Sequence, residues 1–179
     1  MKLIRSIHVT LITFLLLIPC SVYSETQKTS SIFDTQDGQI NITSISYEID
    51  MKRSVVSFKG DVKVVGKDMN MSCQKLELYF KNSLEGTSVE NNKYSIEKIV
   101  ASDSVVINRP GKGSATAEKA VYYHDSDKIV LTGKPYFKDG DRFEGDGKTI
   151  TLYLREDRYT VEGTQDDKAR LFKSGKDER

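Results

Sequence analysis

Apolar and polar residues alternate along most of this chain, and the alternation is interrupted at regular intervals. Val56-Ser57-Phe58 and Val62-Lys63-Val64 flank Gly60. Such spacing puts both apolar pairs on one face of a strand, and a glycine between them marks a bend or bulge. The pattern returns from Ile99 to Ile107 with Asp103 in the glycine's place, and from Ile129 to Phe137 around Gly133. It opens once more at Tyr159-Thr160-Val161-Glu162-Gly163. Ala101 follows Phe58 by 43 residues, and Leu131 and Val161 follow at intervals of 30. Between the copies runs a second kind of stretch: Cys73 to Phe80, Ala117 to Tyr122 and Asp146 to Leu152. Each carries a lysine (Lys75, Lys119, Lys148) just before its alternating residues. A fixed spacing of this kind predicts one β unit used repeatedly.

The connections agree. Asp139-Gly140 predicts a type I′ hairpin turn, and Pro110-Gly111 predicts another tight turn. Asp50 to Arg53, Asp125 to Lys128 and Glu156 to Arg158 form mixed-charge turns, and Lys81–Tyr94 forms one longer polar connection. Val, Ile, Thr and Tyr fill the periodic segments, and no window sustains a helical period. The expectation is an all-β domain over residues 38–163, entered through Ile40, Ile42, Ile45, Tyr47 and Ile49. A flexible leader over 25–37 precedes it and a polar C-terminal tail over 164–179 follows.

The N-terminus changes where this domain is expected to act. Lys2 and Arg5, the apolar run from Leu11 to Ile18 and Val22-Tyr23-Ser24 predict a signal peptide over residues 1–24, cleaved before Glu25. An uncleaved anchor is the alternative, and Pro19 makes a poor lipoprotein signal of Cys20. Removing residues 1–24 takes out two of the 27 basic residues and none of the 26 acidic ones, leaving one excess acid. No net basic field then calls for nucleic acid. Only Cys73 remains, so the domain forms no internal disulfide and rests on apolar burial.

Candidate chemistry is sparse. Gly147-Lys148-Thr149 resembles the end of a phosphate loop, but Arg142 stands where the loop's first glycine belongs and a strand follows. Asp139, Asp141, Glu144 and Asp146 fit no calcium-loop spacing. Cys73 with His124 would be the only thiol–imidazole pair, against the simpler reading of a small strand residue. Asn41-Ile42-Thr43 matches a glycosylation sequon, though its place in an alternating run favours a strand. No metal or cofactor is expected. The apolar stripe either closes into a core or lines a ligand groove.

The spaced series of Gly60, Asp103 and Gly133 units, preceded by Ile40-Asn41-Ile42 and Ile45-Ser46-Tyr47-Glu48, resembles the LptA/OstA-like family of periplasmic lipopolysaccharide-transport proteins. The resemblance spans about Gly38 to Gly163. Asp103 in place of glycine and the longer Lys81–Tyr94 connection depart from it. It implies a folded-over antiparallel β jelly roll, two sheets around an apolar groove open at its ends, in the periplasm. It further implies a non-enzymatic carrier that stacks head to tail between an LptC-like inner-membrane partner and an LptD-like outer-membrane translocon. Under it, Ile40, Ile42, Val56, Phe58, Leu76, Leu78, Ile129, Leu131, Phe137, Ile150 and Leu152 face the acyl chains of lipopolysaccharide. An LptC-like anchored adaptor of the same system is the alternative, and a glycan-cleaving enzyme with an acidic pair is a third reading.

Overall fold

The computed structural model describes residues 40–81 and 96–173. The expected signal peptide, the leader and most of the Lys81–Tyr94 connection lie outside them. Among the described residues the chain forms twelve strands and no helix. They are β1 (Asn41–Thr43), β2 (Ser46–Asp50), β3 (Val55–Val65), β4 (Asn70–Phe80), β5 (Ile96–Arg109) and β6 (Gly113–Tyr123), followed by β7 (Lys128–Thr132), β8 (Tyr136–Asp139), β9 (Phe143–Asp146), β10 (Thr149–Tyr153), β11 (Arg158–Glu162) and β12 (Arg170–Lys173). Every pairing is antiparallel.

One sheet is folded on itself. The long strands β3 to β6 pass through both halves, and the short strands fill each half separately. The first half-sheet runs β2-β3-β4-β5-β6-β7-β10-β11, and the second runs β1-β3-β4-β5-β6-β8-β9-β12. The crease is made by pairs of consecutive left-handed residues: Gly60 and Asp61 (φ 77° and 42°), Asp103 and Ser104 (65° and 57°), Gly133 and Lys134 (76° and 53°). Register shifts fall at the same level, between Lys59 and Val62, Ser72 and Lys75, and Ser102 and Val105. Asp103 therefore carries the same backbone as the two glycines; aspartate tolerates this region better than most side chains.

Backbone hydrogen bonds continue across the bend. The Ile45 N–H donates to the Gly60 carbonyl at 2.9 Å, Glu118 N–H to Gly133 at 2.9 Å, and Lys148 N–H to Glu162 at 2.8 Å. On β4 and β6 the inward-facing parity changes at the crease: Met71 and Cys73 give way to Leu76, and Ala115 and Ala117 to Ala120. Lys75 and Lys119 sit at that change of phase, which is why a lysine precedes each returning run.

Two expectations need correction. The 139–142 turn is not type I′, because only Gly140 has positive φ while Asp139 closes β8; the Arg142 N–H donates to the Asp139 carbonyl at 3.0 Å. At Pro110-Gly111 the Lys112 N–H donates to the Arg109 carbonyl at 2.9 Å, and φ is 73° at Gly111, as a type II turn requires. Residues 164–179, read as a polar tail, supply β12, which pairs with β9. Leu171-Phe172 is too short an apolar run to announce a strand by alternation.

At Gly133 a Cβ would clash with the Glu118 side chain, on a backbone that already disfavours side chains. Gly133→Ala should cost about 2 kcal/mol or more in urea unfolding. Asp103→Gly should stay within about 1 kcal/mol of the parent, since it trades left-handed strain for backbone entropy. Equal losses at both positions would contradict the common crease.

Candidate functional site

Side chains facing inward from the two half-sheets line up in rows across the strands. One row of the first half-sheet reads Tyr47, Phe58, Leu76, Ala101, Ala120, Leu131, Ile150, Val161. Its neighbour reads Ile49, Val56, Leu78, Ile99, Tyr122, Ile129, Leu152, Tyr159. The second half-sheet answers with Ile42, Val64, Met71, Ile107, Ala115, Phe137, Gly145, Leu171.

Burial is graded along every row. In the first, Tyr47 is 69% exposed, Leu131 is 0% exposed and Val161 is half-buried; in the third, Leu171 is 66% exposed. The interior is thus sealed at its waist and apolar at both ends. Small side chains at the waist (Cys73, Ala101, Ala115, Ala117, Ala120) let the halves approach closely. At the β1/β2 end, Ile45 in the β1–β2 bend and Tyr47 and Ile49 on the edge strand β2 stand exposed, and Tyr47 lies 6.1 Å from Phe58, ring centre to ring centre. At the other end a cavity of about 390 Å³ is lined by Phe137, Phe143, Tyr159, Val161, Leu171 and the flank of Arg170. Phe137 and Tyr159 stack there at 5.1 Å.

The predicted contact residues divide between these zones. Ile40, Ile42, Val56, Phe58 and Leu78 are half-buried toward the first mouth, and Phe137 walls the second. Leu76, Ile129, Leu131, Ile150 and Leu152 form the sealed waist. The sequence-based list omits Tyr47, Ile49, Tyr159 and Val161, which occupy the same rows; their alternation was visible but their cross-strand neighbours were not. Phe143 and Leu171 had no periodic signal.

Opposite the crease, charge ties the halves together. Arg109, buried at the end of β5, reaches Asp157 in the β10–β11 turn of the other half, Nη1 to Oδ1 at 3.6 Å, and Lys112 Nζ meets the same oxygen at 3.7 Å. The buried Asp127 carboxylate accepts the Tyr122 hydroxyl at 2.9 Å and pairs with Arg155 at 3.4 Å. These are structural contacts.

Alternative chemistries lose their geometry. Cys73 lies at crease level, whereas His124 lies in the β6–β7 turn, six strand residues beyond that level or roughly 20 Å. Glu144 accepts the Tyr136 hydroxyl at 2.7 Å, and Asp146 and Asp139 pair with Arg170 and Arg142, each at 2.7 Å. No group of three metal-ligating side chains occurs among the described residues. Gly147 is explained by packing, since a Cβ there would meet the Glu162 carbonyl at 2.8 Å.

Residues 41–164 match the family described as "LptA/(LptD N-terminal domain) LPS transport protein". Among 21 solved chains with a matching fold is LptH, the LptA-homologous periplasmic component of the lipopolysaccharide transport device of Pseudomonas aeruginosa. It is 13% identical and superposes with a TM-score of 0.61 over 75% of this chain and 94% of its own. No curated protein sequence matches the chain significantly.

Burial pushes the Cys73 thiol up from its ordinary 9.0 to about 11. Its Sγ donates to the Lys75 carbonyl at 3.3 Å. Alkylation at pH 8 should therefore be about a hundredfold slower in the folded protein than in urea. Because the unfolded thiol ionises first, it should lower stability as pH rises from about 9 to about 11, and Cys73→Ala should make the decline over that range shallower. Rapid alkylation of the folded protein at pH 8 would contradict the sealed waist.

Proposed function

Because this chain belongs to the LptA/(LptD N-terminal domain) family of LPS transport proteins, we propose that it is a periplasmic lipopolysaccharide carrier whose apolar interior holds acyl chains. The observation that carries this reading is the burial gradient, sealed in the middle and apolar at both open ends. A closed core needs no exposed aromatic and aliphatic side chains at its ends, whereas a conduit that continues into a neighbour does.

The energetics demand such a conduit. Each buried methylene is worth roughly 0.8 kcal/mol, so a twelve-carbon chain exposed to water costs about 9 kcal/mol. The 390 Å³ cavity at the second mouth falls within the usual range for small-molecule sites. Continuity comes from strand edges. Among the described residues, β2 and β1 leave one end of each half-sheet unpaired, and β11 and β12 leave the other. Edges of this kind accept a further strand. Head-to-tail stacking would carry each inner row into the next copy, Val161 toward Tyr47 and Tyr159 toward Ile49. It would also bury the groups now exposed. The same edges would serve an LptC-like partner at one terminus of the stack and an LptD-like translocon at the other. Movement of lipid along it draws its free energy from elsewhere in that system.

A photocrosslinking residue at Phe58 or at Tyr159 should yield a lipopolysaccharide adduct in cells, and absence of adduct from both positions would overturn the carrier reading. Tyr47→Asp should shift light-scattering mass toward monomer at concentrations where the parent associates. Unchanged association would remove the β2 edge from the contact. Sizing the mature N-terminus separates carrier from adaptor, because retention of residues 1–24 would give the anchored form.

A further inference from the structure

The outer face of the first half-sheet carries an unbroken row that neither the carrier reading nor the core requires. Tyr79 stands opposite Lys98, Lys98 opposite Tyr123, Tyr123 opposite Lys128, Lys128 opposite Tyr153, and Tyr153 opposite Arg158. Six adjacent strands thus present tyrosine and cation in strict alternation. Each cation rests on a ring: Lys98 Nζ lies 4.5 Å from the Tyr79 centroid, Lys128 Nζ 5.4 Å from Tyr123, and Arg158 Cζ 3.8 Å from Tyr153. A ring fixes a cation without neutralising it, so the N–H donors stay available. Among the described residues no carboxylate pairs with Lys98 or Lys128, while Arg158 Nε also donates to Glu156 at 2.7 Å.

Two rows closer to the crease complete the face. Val100, Val121 and Val130 line up beside Thr151 and Thr160, and beyond them Lys75, Ser102, Lys119, Thr132 and Thr149. From β4 to β11 the carboxylates in these rows are Glu77, paired with Lys75 at 2.9 Å, and Glu162 at the edge; Glu48 and Asp50 lie beyond them on β2, beside Lys59 at 3.9 Å and Arg53 at 2.6 Å. The face is therefore basic and rich in hydroxyl groups, with a shallow apolar floor, although the chain as a whole is nearly neutral.

The period of the row selects its partner. Neighbouring strands lie about 4.8 Å apart, so the cations repeat every ~10 Å, close to the length of one disaccharide in an extended β-1,4-linked chain. We propose that this face docks a linear cell-wall glycan bearing an acidic substituent on every second sugar. The acidic groups sit on Lys98, Lys128 and Arg158, and the sugar hydroxyls on the tyrosine, serine and threonine side chains. The choice of a cell-wall polymer rests on the periplasmic placement proposed above. A carrier stacked across that compartment must pass this polymer, and it would do so with its outer face while its interior stays occupied.

The test is co-sedimentation of the mature protein with purified peptidoglycan sacculi, beside chitin as the uncharged β-1,4-linked control and phosphatidylglycerol vesicles as the anionic membrane control. The parent should pellet with sacculi at low salt, be released as ionic strength rises, and leave chitin and vesicles behind. Combined Lys98→Gln, Lys128→Gln and Arg158→Gln should lower the sacculus-bound fraction at least fivefold. The same variant should keep the parental urea midpoint and the Phe58 lipopolysaccharide adduct, which separates this proposal from the carrier reading. No pelleting with sacculi, equal pelleting with chitin, a preference for vesicles, or an unaltered triple variant would each overturn it.

Discussion

Everything in this structure depends on where the sheet bends. Three strand paths place two consecutive residues in the left-handed region at one level, and the returning strands change the phase of their side chains at the same level. A single sheet of this width would otherwise twist and leave one apolar face in water. Bending turns that face on itself, so one set of alternating residues supplies both walls of the interior. The cost is local backbone strain at Asp61, Asp103, Ser104 and Lys134, which lack glycine's freedom. It is offset by hydrogen bonds that continue across the crease and by the burial beneath it.

The same geometry explains why the interior is graded. Strands in the middle of the order have neighbours on both sides and a facing wall, so Leu76, Leu131 and Ile150 lose nearly all their exposure. At β1/β2 and β11/β12 the rows run out of strands before they run out of apolar side chains. A closed barrel would have no such ends. An open folded sheet keeps them, and with them strands that have no further neighbour among the described residues. The ion pairs of Asp157 with Arg109 and Lys112 tie the two halves together on the side away from the crease.

Inner and outer faces divide the work by parity. Along β5, Ile99 and Ala101 face the interior while Lys98 and Val100 face out; along β10, Ile150 and Leu152 face in while Thr151 and Tyr153 face out. A one-residue slip would exchange the two sets, so the register that builds the apolar interior also builds the tyrosine–cation row.

Much of this was legible in the sequence. Alternation around Gly60, Asp103 and Gly133 marked the bends, the recurring lysines marked the phase changes on β4 and β6, and the intervals marked the repeat. These are local facts, because strand periodicity and left-handed preference act over a few residues. The apolar stripe was also visible, but not its division into a sealed waist and two open mouths. Leu131 and Val161 occupy equivalent places in their repeats, and only the number of strands beyond each one separates a buried residue from a half-exposed one. β12 escaped notice because Leu171 gains its meaning from Gly145 across the sheet. The Tyr79-to-Arg158 row was hidden because its neighbouring members lie up to 25 residues apart in the chain and meet only through cross-strand register. Sequence alone determined the unit, its bends and its apolar face; the order in which strands pair decided which parts of that face are closed and which charges stand side by side.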